Sequence, residues 1–268
     1  MSGDSSKPRE AQASLLSSSG TRRNAPWSLA RAVTAGIVSY FAAQIVAGVV
    51  IGLYPLVRHW DKVQSNSWLT NSVYAQFCYI FTTESLTILV LWLFLRRFKS
   101  GVRAGLGLSR LPQAKDVLYA LGGVIVYFGV YLLVLGVVNS VVPVNTNQQQ
   151  DVGFQGAHNS IALAVTFISL VILPPIVEEI TFRGLLYSGL RTRFRPMMAG
   201  LGASLLFAAP HLLTGKGDGL LWIAAIDTFS LSIVLCFLRE KTGVLYSGML
   251  VHAIKNGIAF VMLFIIIS

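Results

Sequence analysis

Apolar residues dominate this chain in long runs, without the three- and four-residue alternation of a half-buried surface helix. Behind a leader rich in Ser, Gly, Lys and Arg, such runs lie near residues 33–57, 71–95, 117–142, 160–180, 197–212, 220–238 and 243–267. About 20 apolar residues cross a hydrocarbon core roughly 30 Å thick as one helix, and a helix satisfies its own backbone polar groups there. The pattern predicts an all-α fold, a polytopic transmembrane helical bundle of about seven spans. Residues 1–28 bury too little apolar surface to offset ordering entropy and are expected to form a disordered cytosolic tail. Residues 29–159 are expected to supply N-terminal spans and an outer loop, and residues 160–268 a transmembrane core.

Composition agrees with an integral membrane protein. Of the 268 residues, 54% are hydrophobic and 12% charged, with a mean hydropathy of +0.66. The net charge of +10 does not mark a nucleic-acid binder, because Lys and Arg sit in short clusters between apolar runs and not along one face. With a cytosolic N-terminus, 17 basic residues fall inside, among them Arg96, Arg97, Arg103, Arg110, Arg191, Arg193 and Arg195. Only Arg58, Lys62 and Lys216 fall outside, and Lys255 lies within the last span. This bias predicts a cytosolic N-terminus and an extracytoplasmic C-terminus, in the cell membrane. The segment 143–160 has no Lys or Arg and reads as an outer loop able to order as a lid. Cys78 and Cys236 lie in apolar runs with no CxxC spacing and read as packing residues.

Ionisable groups at membrane depth cost on the order of 2.5–3.5 kcal/mol each by insertion scales, so their presence calls for pairing or function. In VEEITFRG, residues 177–184, Glu179 and Arg183 are one turn apart and can pair, which leaves Glu178 free as a general base. Pro174 and Pro175 are expected to break the helix just upstream and redirect the segment bearing the glutamates. In FAAPH, residues 207–211, Phe207 and His211 share a face, as do His252 and Asn256 in HAIKN, residues 252–256. Depth along the spans places these groups in the cytosolic half, around a cavity open to the cytosol. Glu84, Asp227 and Lys255 are expected to be structural, with Asp227 and Lys255 pairing the sixth and seventh spans; LGLSR, residues 106–110, reads as an interfacial connector.

The order EExxxR, FxxxH, HxxxN, with FRG after the glutamates and the stretches ASLLFAAPHLL and TGVLYSGMLVHAIKN, resembles the intramembrane CAAX-protease and bacteriocin-processing family over residues 160–260. That family includes the type II prenyl-protein endopeptidases. The resemblance implies that 160–268 is the catalytic core and that the chain is an endopeptidase cutting a membrane-associated or lipidated protein or peptide near the cytosolic face. It implies that Glu178 activates water with His211, that His252 and Asn256 stabilise the oxyanion, and that Glu179, Arg183 and Phe207 support them. Glu178, His211 and His252 are also the candidate ligands for a divalent metal such as zinc, since members have been described as both metallo- and glutamate-dependent proteases; the absence of HExxH favours chemistry without a cofactor. Membrane lipids and the peptide substrate are the expected partners, with no nucleic acid. The alternatives are a noncatalytic membrane partner or regulator, including bacteriocin self-immunity, and a transporter, which lacks an evident inverted repeat.

Overall fold

A computed structural model describes residues 25–148, 150, 152–215 and 219–266. Residues 1–24, which hold most of the expected tail, lie outside the described residues. Trp27, at the end of that stretch, is instead buried, and its Nε1 donates to Leu185 O at 3.0 Å.

The described residues form helices and turns, with a single isolated bridge between Gln150 and Gly215. The helices are α1 Leu29–Val57, α2 Lys62–Asn71, α3 Val73–Leu95, α4 Val102–Leu106, α5 Ala114–Val141, α6 Ser160–Leu190, α7 Pro196–Leu213, α8 Trp222–Thr242 and α9 Tyr246–Ile266. Seven of them, all but α2 and α4, are long and apolar enough to cross a membrane. Large apolar side chains stand exposed along α1, α3 and α5, such as Ile45, Trp92 and Leu132, which is the surface a hydrocarbon phase would cover. Cys236 is buried as expected, while Cys78 is on that exposed surface.

The fourth span is the main departure from the sequence pattern. It runs 31 residues to Leu190, ten beyond the predicted end at 180, because the charges at 178, 179 and 183 are absorbed inside the bundle and do not mark a boundary. Nor do Pro174 and Pro175 break it. The helix widens to π geometry over Ile168–Ile172, resumes as α-helix at Leu173–Glu178 with the prolines in its first turn, and widens again over Glu179–Leu186. A first helical turn tolerates proline because its amide hydrogens have no partner there, and the wider turn before it leaves room for the ring.

α6 is the axis of the bundle. The N-terminal part packs on α3, the C-terminal part on α1, and α9 lies along the segment from Ile168 to Glu178. α8 packs between α5, α7 and α9. At the end of the bundle where α6 finishes, the α4 loop is pinned to this core. Ser188 Oγ and Arg239 Nη2 donate to Gly105 O at 2.7 and 2.9 Å, Leu245 N to Gly107 O at 3.1 Å, and Tyr246 Oη to Arg110 O at 2.7 Å. The connector is thus a clamp on α6, α8 and α9. At the other end the 143–159 loop is anchored by Phe154, which is buried against Val73, Ala157 and Ala162 and whose amide donates to Gln76 Oε1.

The α1–α6 crossing depends on small residues. A Cβ at Gly189 would stand 2.3 Å from Ala32 Cβ, closer than atoms can pack, whereas a Cβ at Gly129 on α5 meets nothing. Gly189→Val is expected to destabilise the bundle by about 1–3 kcal/mol, the usual range for overpacking. Thermal unfolding in detergent, with Gly129→Val as the control, reads the effect.

Candidate active site

The two prolines that fail to break α6 leave a mark on its backbone. Neither Pro174 nor Pro175 has an amide hydrogen, so Leu170 O loses both its i+4 and its i+5 donor. Asn256 Nδ2 replaces them, donating to Leu170 O at 2.9 Å. This bond ties α9 to α6 and brings the HAIKN face of α9 against the glutamates.

One turn further along α6, Glu179 and Arg183 form the expected pair. Arg183 Nη1 lies 2.8 Å from Glu179 Oε1, with side-chain exposures of 0% and 1%, so neither charge has solvent to fall back on. The ring of Phe207 covers the guanidinium, with Arg183 Cζ 4.4 Å from its centroid. α9 comes in without a side chain at Gly248, where a Cβ would sit 3.0 Å from Glu179 Oε2.

Glu179 also orients the first histidine. His252 is buried, with Nδ1 3.4 Å from Glu179 Oε1 and Nε2 3.6 Å from Glu178 Oε2. With Nδ1 donating to the ion-paired carboxylate, Nε2 is the nitrogen turned toward Glu178. His211 is held differently. Its Nδ1 lies 3.0 Å from Phe207 O, and a carbonyl only accepts, so Nδ1 carries the proton and Nε2 is left for the cavity. Phe207 thus serves three groups at once: its ring packs 5.9 Å edge-on to His252 and 5.5 Å from His211, and its face takes Arg183.

Glu178, His211, His252 and Asn256 all line one cavity of about 210 Å³. At this volume the cavity admits several waters beside these polar groups. The cavity is shared by α6, α7, α8 and α9, and Gln150 and Val152 of the 143–159 loop also reach it. Depth differs from the sequence pattern in degree, since Glu178 lies deeper than the predicted span end implies but still nearer Leu190 than Ser160. A span ending at residue 180 puts Glu178 at the boundary, but with the helix running to Leu190 the glutamate sits about 18 Å from that end, at 1.5 Å per residue. The cavity then runs along α9 from His252 to Leu263 and Phe264, away from the arginine-rich end of the bundle.

Of the other charged residues, Asp227 and Lys255 pair across α8 and α9 at 2.6 Å, as the sequence indicates. Tyr127 on α5 donates to the same aspartate, a contact the sequence pattern hid because a tyrosine in an apolar run looks like packing. Glu84, on α3, finds no hydrogen-bond or ion-pair partner among the described residues and stands within electrostatic reach of Glu178. Leu170 O, the acceptor for Asn256, could have been found from the sequence by asking which carbonyls two adjacent prolines orphan.

Breaking the Glu179–Arg183 pair should cost more than a surface ion pair would, since one buried charge is left uncompensated at about 3–5 kcal/mol. Arg183→Ala is therefore expected to lower both the membrane level of folded protein and its activity. Accumulation and rate measured together check this, and normal levels with an undiminished rate would remove the supporting role.

Residues 160–258, the stretch holding Glu178, His211, His252 and Asn256, match the family model for Rce1-like, type II CAAX prenyl endopeptidases. No curated protein and no solved structure matches the chain. Over that segment, on α6 to α9 of an integral membrane bundle, the chain is similar to the type II CAAX prenyl endopeptidases.

Proposed function

We propose that this protein is an intramembrane endopeptidase in which Glu178 is the general base and His211 its partner at the attacking water. The carrying observation is that α6, α7 and α9 all deliver motif residues to a single cavity, with His252 Nε2 3.6 Å from Glu178 Oε2. Glu178 takes a proton from water as the water oxygen bonds to the scissile carbonyl carbon. Negative charge then gathers on the carbonyl oxygen, facing the second Nδ2 hydrogen of Asn256, since the first is given to Leu170 O, and His252 Nε2, which donates there when the ring carries a proton on both nitrogens. Collapse breaks the C–N bond, and the proton taken by Glu178 passes to the leaving amine. Glu179, Arg183 and Phe207 act through His252 and His211, and are positioning residues. Substrate is a peptide segment of a membrane-associated protein, reached within the bundle.

Among the described residues, no group of three or more His, Cys, Asp or Glu side chains is arranged to hold a metal ion. The candidate set Glu178, His211 and His252 lines the cavity without forming such a group, so no step is routed through a metal. Purified active protein is expected to keep most of its activity after thorough chelation. Loss of activity that stoichiometric zinc restores would reverse this and assign those three residues as ligands.

Glu178→Ala, His211→Ala and His252→Ala are each expected to abolish cleavage while leaving the bundle inserted. Asn256→Ala removes one oxyanion donor and is expected to lower the rate by about 10²-fold. Profiling of peptide termini in membranes carrying each variant provides the comparison. Identical products from wild type and all four variants would favour a noncatalytic membrane partner over a protease.

A further inference from the structure

We infer that the bundle holds an anionic phospholipid in a groove between α1 and α3, with the lipid phosphate on Arg31 and Arg97. The groove shares no residue with the catalytic cavity, so the inference stands apart from the protease reading.

Two helix faces build the groove. Arg31, Thr34 and Val38 follow one another at one-turn spacing on α1, and Val90, Leu93 and Arg97 do the same along α3 and just past its end. The start of α1 packs on the end of α3, where Trp27, Ala32 and Ala35 meet Leu91 and Leu95, so the two arginines stand at the same level of the bundle. From Arg31 to Val38, and from Arg97 back to Val90, each helix descends about 10 Å at 1.5 Å per residue. One leaflet of hydrocarbon is about 15 Å deep, so the apolar part of the groove, about 450 Å³ with the polar end included, has the reach of an acyl chain below its headgroup.

Charge selects the headgroup. Other arginines at this end are committed, Arg110 to Asp116, Arg191 to Glu240 and Arg96 over the ring of Trp92. The guanidiniums of Arg31 and Arg97 make no ion pair, hydrogen bond or ring contact among the described residues. Nor does Arg31 serve its own helix, because a cation in a first turn opposes the helix dipole. No Asp or Glu lines the groove. Two guanidiniums above an apolar cleft fit a phosphodiester that carries acyl chains. A zwitterionic headgroup would bring an ammonium that no groove residue neutralises, so the fitting lipid has a net negative charge.

Such a lipid bridges α1 and α3 beside Ala32, the residue that α6 approaches at Gly189. It binds the packed pair of helices and not the separated ones, and therefore stabilises the fold.

The test uses the purified full chain in a neutral detergent, with dioleoyl phosphatidylglycerol, dioleoyl phosphatidylcholine or inorganic phosphate added. Native mass spectrometry counts retained lipid, and the unfolding midpoint is read in parallel. Phosphatidylglycerol is expected to be retained one to one and to raise the midpoint, with phosphatidylcholine lost and phosphate without effect. Arg31→Gln and Arg97→Gln are each expected to weaken retention about fivefold, the effect of one cation near an anionic headgroup. Arg193→Gln, an exposed cation outside the groove, is expected to leave it unchanged. Val38→Trp keeps both charges, fills the apolar arm and is expected to abolish retention; should that variant fail to fold, the arginine variants decide. Equal retention of the two lipids, no retention of either, or equal weakening by Arg193→Gln overturns the inference. A midpoint raised as far by inorganic phosphate as by phosphatidylglycerol also overturns it, and marks a free-phosphate site instead.

Discussion

A fully buried arginine has to be neutralised, and Arg183 meets that demand with one oxygen of Glu179, 2.8 Å away. Much of the site follows from this pair. The carboxylate that neutralises Arg183 also fixes His252 through Nδ1, which turns Nε2 toward Glu178. The guanidinium in turn holds the ring of Phe207, and the carbonyl of that residue sets His211. A structural ion pair and three groups of chemical interest are therefore one connected network, in which the neutralising carboxylate does not compete with the free one.

Backbone geometry makes room for this network. π widening over Glu179–Leu186 carries both members of the pair, and the earlier widening over Ile168–Ile172 lets two prolines sit in a continuous helix. π-bulges are uncommon and concentrate at functional sites, where they re-aim side chains and free backbone groups. Here the freed group is Leu170 O, and its capture by Asn256 explains why a residue facing the cavity also bonds the scaffold. Gly248 and Gly189 then allow α9 and α1 to approach the widened helix closely.

The spans and the motif residues were legible in the sequence because hydrophobic run length and one-turn spacing are local properties. The Glu179–Arg183 and Asp227–Lys255 pairs could be read for the same reason: each partner was a charge with few alternatives in hydrocarbon. What escaped were the properties set by packing. Run length ended the fourth span at its charges, but burial by α1, α4 and α7 lets the helix continue to Leu190, and that shift moved Glu178 inward. Proline was read as a breaker because local rules do not anticipate a π turn beside it. Trp27 looked like part of a polar tail, since its pocket at Leu185 is formed by residues more than a hundred positions away.

The central claim is that the ion-paired carboxylate of Glu179 sets the tautomer of His252. The ¹⁵N spectrum of histidine-labelled protein, with the His252 signals assigned by difference against His252→Gln, tests it most directly. The account expects Nδ1 of His252 to carry a proton hydrogen-bonded to a carboxylate, and that signal to move in Glu179→Gln, which keeps the shape and removes the charge. A His252 whose Nδ1 bears no proton, or whose spectrum is the same in wild type and Glu179→Gln, would contradict it.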